Sequence, residues 1–327
     1  MAADTTLTTT TGDGADDVAS SLQRLFQKDL LKTIVENTIL DQFGKKISLP
    51  AKAGSKTMRF FRYGEAAASN VEALTEGTAP TSSHLAVENV DADLVQYGEV
   101  ISISDLVLAT ELFNNVEQAT VRAGRDAALK VDEVIRAELF KNDADIPGAN
   151  NIYSGATDAY NNTITAVNAK DFLDSATSLK LQKAIPIGGS YCAIVAPQVA
   201  RDLMNDGDWI AANHYASPEN ILRGEVGRMH GVRIVETTVP FSADVATQFT
   251  HTGGDYFGTA VVGQDAFAIP NLGSQSPFAP SIVIVTSPDK SDPLNQKVTV
   301  GFKVFFVAKN IQPKHIARIY STTNYGS

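Results

Sequence analysis

The chain holds few residues whose type and spacing could support catalysis or metal binding. Its five histidines are scattered singly, without the i, i+4 pairing or the neighbouring carboxylates of a metal site. Cys192 is the single cysteine, and within the segment YCAIVAP it is typical of a small apolar side chain in a buried strand. One cysteine excludes an intrachain disulfide and a thiolate metal cluster within one subunit. We therefore predict no metal site.

Glycines and carboxylates give no catalytic signature either. The segment 224–231, GEVGRMHG, lacks the Lys-Ser/Thr pair of a phosphate-binding loop and the spacing of a dinucleotide-binding turn. Gly188 and Gly189 stand with Ser190 before a predicted strand, whereas a nucleophile elbow follows one. Acidic residues are numerous, but none forms a pair spaced for acid and base roles. The sequence predicts no catalytic residue and no cofactor.

Composition limits the partners of the protein. The 327 residues include 27 basic and 37 acidic side chains, for a net charge of −10, and no basic run exceeds Lys45-Lys46. Specific nucleic-acid binding is therefore not expected. No apolar run approaches the ~20 residues that cross a bilayer, and the threonine-rich start lacks the segments of a signal peptide. We expect no membrane contact and a protein that stays in the cytoplasm.

The longest predicted element is a helix over residues 115–141. Asn114 can cap its first turn while Glu117 reaches back to the cap. Small apolar residues recur on one narrow face at steps of three and four. These residues are Val116, Ala119, Ala123, Ala127, Val131 and Val134.

Charged residues on the same helix follow a spacing of four. Arg122, Asp126 and Lys130 form one such series, and Asp132 with Arg136 forms a second. Neighbouring opposite charges of this kind are typical of a solvated helix face. We interpret them as stabilising an exposed side and assign them no chemistry.

Two segments before this helix are predicted to extend from the globular part. Residues 1–19 include six threonines and almost no apolar side chains, so they cannot repay the entropy of their own ordering, and an amphipathic helix follows from residue 20 or 21 to Gly44. Strands over 57–63 and 85–104 flank about twenty small and polar residues, which indicates an extended hairpin. Phe60 and Phe61 point to opposite faces of the first strand.

After residue 168 strands alternate with helices, which favours a small mixed α/β lobe. Asn168 and Asp171 form a capping box for a helix that carries Phe172, Leu173, Ala176 and Leu179 inward. A buried strand over 191–196 and a helix over 197–204 follow, and single strands are predicted over 228–237 and 258–269. Two apolar strands, 297–308 and 315–321, are predicted to return beneath the long helix.

In this order, the elements resemble the major capsid protein of tailed bacteriophages. The resemblance rests on short turn and strand signatures spread along nearly the whole chain. They are KTMRFFRY at 56–63, LTEGTAP at 74–80, QYG at 96–98, SD at 104–105, APQ at 196–198, GEVG at 224–227, GVRIVE at 231–236 and GQDAF at 263–267.

The resemblance implies an α+β fold of the Hong Kong 97 coat type. Its parts would be an N-terminal arm with an amphipathic helix (1–48), an extended β-hairpin loop (49–104), a peripheral domain with a long spine helix (105–167), a mixed α/β axial domain (168–294) and C-terminal strands returning to the peripheral domain (295–327). It also implies hexamers and pentamers in an icosahedral virion shell around packaged double-stranded DNA. The arm is too short for an internal scaffold, so we expect a separate scaffolding protein. The resemblance also implies a portal and decoration proteins as partners.

Residues of the hairpin are the candidates for contact between subunits. They are Phe60, Phe61, Arg62, Tyr63, Leu74 and Glu76. Two other functions fit the same residues: an encapsulin-like compartment shell, and a soluble α/β enzyme or ligand-binding protein. Assembly separates the first from the second, because the soluble protein would purify as a monomer or small oligomer.

Overall fold

The elements below come from a computed structural model. It describes residues 38–47, 57–63, 71, 73–74, 76–77, 84–85, 87–110, 115–141, 150–155, 164–209, 225–238, 257–270, 280–285, 294 and 296–325. The predictions for residues 1–37, which include most of the arm and its helix, and for the cap at Asn114 lie outside the described residues. The predicted end of that helix, at residues 38–44, was wrong, because the chain there forms only a 3-10 turn at Leu40–Gln42.

Four helices and fourteen strands occur in the described part of the chain. The helices are α1 (Asp105–Thr110), α2 (Asn115–Leu139), α3 (Ala169–Leu181) and α4 (Pro197–Met204). The first seven strands are β1 (Lys45–Ile47), β2 (Thr57–Tyr63), β3 (Val87–Asp93), β4 (Val95–Ser104), β5 (Asn150–Tyr153), β6 (Tyr191–Val195) and β7 (Glu225–Met229). The other seven are β8 (Val232–Glu236), β9 (Phe257–Val262), β10 (Phe267–Pro270), β11 (Ser281–Val285), β12 (Lys297–Phe306), β13 (Lys309–Asn310) and β14 (Ile316–Ser321).

A six-stranded mixed sheet, with the strand order β5-β14-β9-β6-β8-β7, lies between two apolar cores. The strands β6, β9 and β14 are buried along their whole length, since both faces of the sheet are covered. One face packs on α3 and α4 through Phe172, Leu179 and Leu203. The opposite face packs on the second half of α2 through Ile135 and Leu139. The sheet is thus the middle layer of three.

The first half of α2 belongs to a different core. Ala119, Ala123 and Ala127 pack on one face of the three-stranded sheet β11-β12-β4. Alternate residues of β12 provide the facing surface, among them Val300 and Phe302. The narrow apolar face predicted for this helix is confirmed. It continues through Val131 into the core between α2 and the six-stranded sheet.

The predicted start of α3 is confirmed in detail. The backbone N–H of Asp171 donates to Asn168 Oδ1 at 3.2 Å, and the backbone N–H of Asn168 donates to Asp171 Oδ2 at 3.0 Å. Ser154 also donates to that carboxylate, at 2.8 Å. Phe172 is fully buried, whereas Leu173 is exposed, so the prediction that both face inward was wrong for Leu173.

Three predicted strands are divided in the structure. Residues 85–104 form β3 and β4, which meet at Leu94 and belong to different sheets. Residues 228–237 are part of the hairpin β7–β8, because His230 and Gly231 both adopt positive φ and turn the chain. Residues 258–269 form β9 and β10 in separate sheets.

The two terminal strands also differ in where they pack. The strand β12 lies beneath α2 as predicted. In contrast, β14 lies between β5 and β9 in the six-stranded sheet, so it does not return beneath the helix with β12.

The interpretation of Asp132 and Arg136 as an exposed pair was wrong. Both are buried, with 2% and 7% of their surface exposed. The backbone N–H groups of Ile39 and Leu40 donate to the two Asp132 carboxylate oxygens at 3.0 and 3.2 Å. Asp132 therefore attaches the segment that precedes β1 to the spine helix. The Arg122–Asp126 pair, at 3.5 Å, is exposed as predicted.

No helix in the described part of the chain is long and apolar enough to cross a membrane.

We predict that Asp132→Asn lowers the free energy of unfolding by about 2 kcal/mol, because both backbone N–H groups lose a charged acceptor and one of them then faces the amide NH2 instead of an oxygen. The matched control is Asp126→Asn on the same helix, which removes an exposed ion pair worth less than about 0.5 kcal/mol. Denaturant unfolding of the subunit measures both. Equal losses would contradict the anchoring role of Asp132.

We also predict that Ala127→Asp prevents stable folding, because Ala127 is fully buried and an unpaired buried carboxylate costs roughly 4 kcal/mol or more. Leu129→Asp introduces the same charge two residues away, where the side chain is half exposed. It should change unfolding by less than about 1 kcal/mol. Thermal unfolding followed by circular dichroism distinguishes the two, and a cooperative Ala127→Asp transition near that of the control would refute the packing.

Candidate inter-subunit surface

The hairpin β2–β3 presents two chemically different faces. Its strands pair antiparallel in a continuous register from Thr57 opposite Asp93 to Tyr63 opposite Val87. Because successive side chains alternate, every second residue of β2 faces the subunit and the others face outward.

The inner face joins the hairpin to its own subunit. Met58, Phe60 and Ala92 are buried in a cluster with Ala268 and Ile311. Burying one large apolar side chain of this kind contributes roughly 2 kcal/mol. The base of the hairpin is therefore fixed by apolar packing.

Arg62 adds a polar attachment on the same face. Its Nη1 donates to the backbone carbonyl of Ile311 at 3.2 Å, and its Nη2 donates to the carboxylate of Glu88 across the hairpin. The guanidinium thus links both strands to the segment that follows β13. Both of these hydrogen bonds lie within the subunit.

The outer face begins, near the subunit, with paired polar groups. Thr57 Oγ1 donates to Asp93 Oδ1 at 2.5 Å. Arg59 Nε and Nη2 donate to the two oxygens of Asp91 at 2.7 and 2.8 Å. These hydrogen bonds lower the pKa of Asp91 and raise the pKa of Arg59. Both charges are matched within the hairpin.

Farther from the subunit the outer face becomes apolar. Phe61 and Tyr63 are 60% and 61% exposed, and Val87, opposite Tyr63, is 47% exposed. Leu74 and Leu85, in the segment that joins the strands, are more than two-thirds exposed. Exposed aromatic and aliphatic side chains grouped in this way are typical of a surface that binds another protein.

The six candidate residues therefore fall into two groups. Phe60 is buried in its own subunit, and Arg62 hydrogen-bonds to Ile311 and Glu88 within it. We therefore propose the other four, Phe61, Tyr63, Leu74 and Glu76, which are exposed, as the residues that contact another subunit. Val87 was missed, although the predicted strand over 85–104 contains it, because only the pairing register shows that it lies beside Tyr63.

In the described part of the chain, the cysteine and the buried carboxylate that could support chemistry contribute to packing and to helix capping instead. No group of three or more His, Cys, Asp or Glu side chains that could hold a metal occurs among the described residues. Cys192 is buried, as predicted. Burial raises the pKa of Asp171, although hydrogen bonds from Asn168 and Ser154 favour its charged form, and this carboxylate caps α3.

The site is thus a hairpin with an exposed apolar tip, carried by a subunit whose long helix is shared by two cores. A family model described as phage capsid protein matches residues 87–319. Because this match spans well over half of the chain, the chain belongs to the phage capsid protein family. A search of curated proteins finds no match.

Solved capsid structures share the fold. The capsid protein of cyanophage P-SCSP1u is 16% identical, with a TM-score of 0.61 over 88% of this chain and 89% of that chain. That of Ralstonia phage GP4 is 12% identical, with a TM-score of 0.64 over 87% and 88%. A virus-like particle from Pyrococcus furiosus is 8% identical, with a TM-score of 0.53 over 91% and 99%. These likenesses confirm the mixed α+β capsid fold that the resemblance implied.

The neighbouring residues Phe60 and Phe61 provide a matched test of the two faces. We predict that Phe60→Ala destabilises the hairpin by about 3 kcal/mol, because it leaves a cavity among buried side chains. Phe61→Ala should change subunit stability by less than about 0.5 kcal/mol, because the ring is exposed. Amide exchange of β2 and β3 in the free subunit measures both, and similar acceleration in the two variants would contradict the assignment of faces.

Proposed function

We propose that the chain is the major capsid protein of a tailed phage and that it assembles as hexamers and pentamers into an icosahedral shell around double-stranded DNA. The shell would form in the host cytoplasm, with no chemical step catalysed by this chain. The observation that carries the proposal is the exposed apolar tip of the hairpin, formed by Phe61, Tyr63 and Val87.

The arrangement of the outer face supports binding to a neighbouring subunit. Aromatic residues are enriched at the centres of interfaces, where they contribute most of the binding energy. The matched pairs Thr57–Asp93 and Arg59–Asp91 would then lie at the rim, where polar groups keep contact with water. Leu74 and Glu76 would extend this contact beyond the strands.

The five-part division of the chain remains part of the proposal, with its strands reassigned. The parts are an arm at 1–48, a hairpin loop at 49–104, a peripheral domain at 105–167, an axial domain at 168–294 and C-terminal strands at 295–327. The core of the first half of α2 with β4 and β12 is distinct from the core of α3 and α4 with the six-stranded sheet, which supports separate peripheral and axial domains. The strand β4, within the proposed loop, contributes to the peripheral sheet with β12. The strand β14, within 295–327, contributes to the axial sheet.

The proposed partners of the chain, besides other copies of itself, are the enclosed DNA and three kinds of assembly protein. A net charge of −10 favours a wall that encloses DNA without specific binding. A separate scaffolding protein, a portal and decoration proteins would complete assembly. We propose these three partners from membership of the capsid family alone.

An encapsulin-like shell is the second candidate, favoured by the fold shared with the virus-like particle from Pyrococcus furiosus. The family match supports the phage capsid. Nuclease-protected DNA inside purified particles would support a virus coat, and an enclosed cargo protein would support the compartment.

Replacing residues 65–85 with a short Gly-Ser turn tests the proposed function. Tyr63 and Val87 are paired, so a tight turn can join the strands, and the shorter loop lowers the entropic cost of closure by only about 1.5 kcal/mol. We expect the subunit to unfold at nearly the same temperature while the particle yield falls at least tenfold.

Electron microscopy of equal amounts of protein counts the particles, and calorimetry gives the unfolding temperature. The control is an exchange of residues 65–85 for a scrambled order of the same residues, which keeps the length. Particles at normal yield after the replacement would contradict a contact role for this loop.

A further inference from the structure

The helix α3 presents a row of three residues to solvent. Leu173, Thr177 and Leu181 follow one another at steps of four, so they form one ridge along the exposed side of the helix. Leu173 is 43% exposed and Leu181 is 80% exposed. Thr177 is also exposed, but its hydroxyl donates to the carbonyl of Leu173 at 2.8 Å and is satisfied within the helix. We call these three residues the α3 ridge.

The α3 ridge has the dimensions of a helix-packing surface. It spans about 12 Å, at ~1.5 Å per residue, which is two helical turns. Rows of side chains at steps of four are the ridges that one helix packs into the groove of another. Ile185, which follows the end of α3, adds a further apolar side chain that is 57% exposed. Exposed apolar residues grouped in this way are typical of a surface that binds another protein.

Lysines accompany the α3 ridge. Lys170 and Lys180 lie on the same side of the helix, and Lys183 follows its end, where a positive φ of 58° turns the chain. All three are exposed, and none forms an ion pair with another residue in the described part of the chain. Asp174 is the one exposed acidic residue of α3. This surface is therefore basic, although the chain as a whole has a net charge of −10.

A second copy of the chain matches this surface poorly. Two copies placed with α3 against α3 would bring three lysines from each side together, and like charges repel. Several described carboxylates of the proposed axial domain are already bonded within their own subunit. They are Asp171, Asp202, Asp206 and Asp265. An acidic partner for the three lysines is therefore expected on a different protein.

We propose that the α3 ridge is a docking surface for an acidic amphipathic helix of a separate protein. The inference rests on the proposed assembly function and gives the chemistry of one of its partners. Apolar side chains of the partner helix would pack beside Leu173 and Leu181, and its flanking carboxylates would lie near the three lysines. DNA would satisfy the lysines through its phosphates but would leave the leucines in contact with water.

A synthetic peptide of three heptads tests this docking surface. It carries leucine at positions a and d and glutamate at positions e and g, so that like charges prevent it from pairing with itself. The fluorescently labelled peptide is titrated with the free subunit, and fluorescence anisotropy gives the affinity. A peptide of the same composition in scrambled order and a DNA duplex of similar net charge are the two control ligands. We expect the ordered peptide to bind roughly tenfold more tightly than either control.

Variants of the subunit locate the binding surface. Lys180→Glu combined with Leu181→Ser should weaken binding of the ordered peptide roughly tenfold, because it reverses one charge and removes one apolar contact. The matched control is Arg125→Glu combined with Leu129→Ser on α2, where both residues are also exposed. This control should change the affinity less than about twofold. Thermal unfolding verifies that both variants fold.

A second variant examines the other end of the α3 ridge. Lys170→Glu combined with Leu173→Ser should weaken binding of the ordered peptide to a similar extent, because a partner helix would lie along the whole row. It also provides the test if the variant at Lys180 and Leu181 does not fold.

Three results in the binding assay would overturn the proposal. They are equal affinity for the ordered and scrambled peptides, tighter binding of the DNA duplex, and equal affinity of the α3 and α2 variants for the ordered peptide. Particle counts from electron micrographs separate these results from the proposed function. Absence of particles from the unsubstituted chain contradicts the proposed function itself, whereas particles with unchanged peptide binding in the α3 variants contradict only the docking surface.

The same micrographs distinguish a separate partner from a second copy. The variant at Lys180 and Leu181 should form particles at the normal yield when no other protein is present. A variant that folds but forms no particles would show that the α3 ridge contacts another copy of the chain, and this result would also overturn the proposal.

Discussion

The burial of one face of α2 in two different cores is the constraint on which the subunit depends. Ala119, Ala123 and Ala127 pack on the peripheral sheet, and Ile135 and Leu139 pack on the six-stranded sheet. A single rigid helix of about 37 Å therefore fixes the position of one core relative to the other. Asp132, between the two halves, adds the segment at Ile39 and Leu40 to the same helix. The small side chains of the first half allow the sheet to approach closely.

Local patterns in the sequence predicted those features that depend on neighbouring residues. The capping box at Asn168, the helix opened by a proline at 197 and the alternation of β12 each depend on a few successive positions. Periodicity shows which face of an element is buried but not what covers it, so β14 was assigned to the wrong sheet. The charged side chains Asp132 and Arg136 were assigned to solvent because their spacing suits an exposed ladder, whereas the partners of Asp132 lie more than ninety residues away.

The candidate contact surface was predictable only in part for the same reason. Alternation alone separated Phe60 from Phe61, but it did not show which of them faces the subunit. That choice depends on Ile311 and Ala268, which pack on Met58 and Phe60 from distant parts of the sequence. Arg62 illustrates the limit most clearly, since its position beside exposed aromatics favoured a contact with a neighbour and its guanidinium bonds to the carbonyl of Ile311.

The wide separation of paired strands along the chain has a consequence for synthesis. In the peripheral sheet Val100 pairs with Gly301, and in the axial sheet Ile319 pairs with Thr259 and Ile152. Neither sheet can be completed on the ribosome until residues near 300 and 320 have been translated, and such non-local pairing is slow to form. A nascent subunit therefore lacks both finished cores. It would join a growing shell only after translation has passed these strands. Incomplete chains would therefore be excluded from the shell.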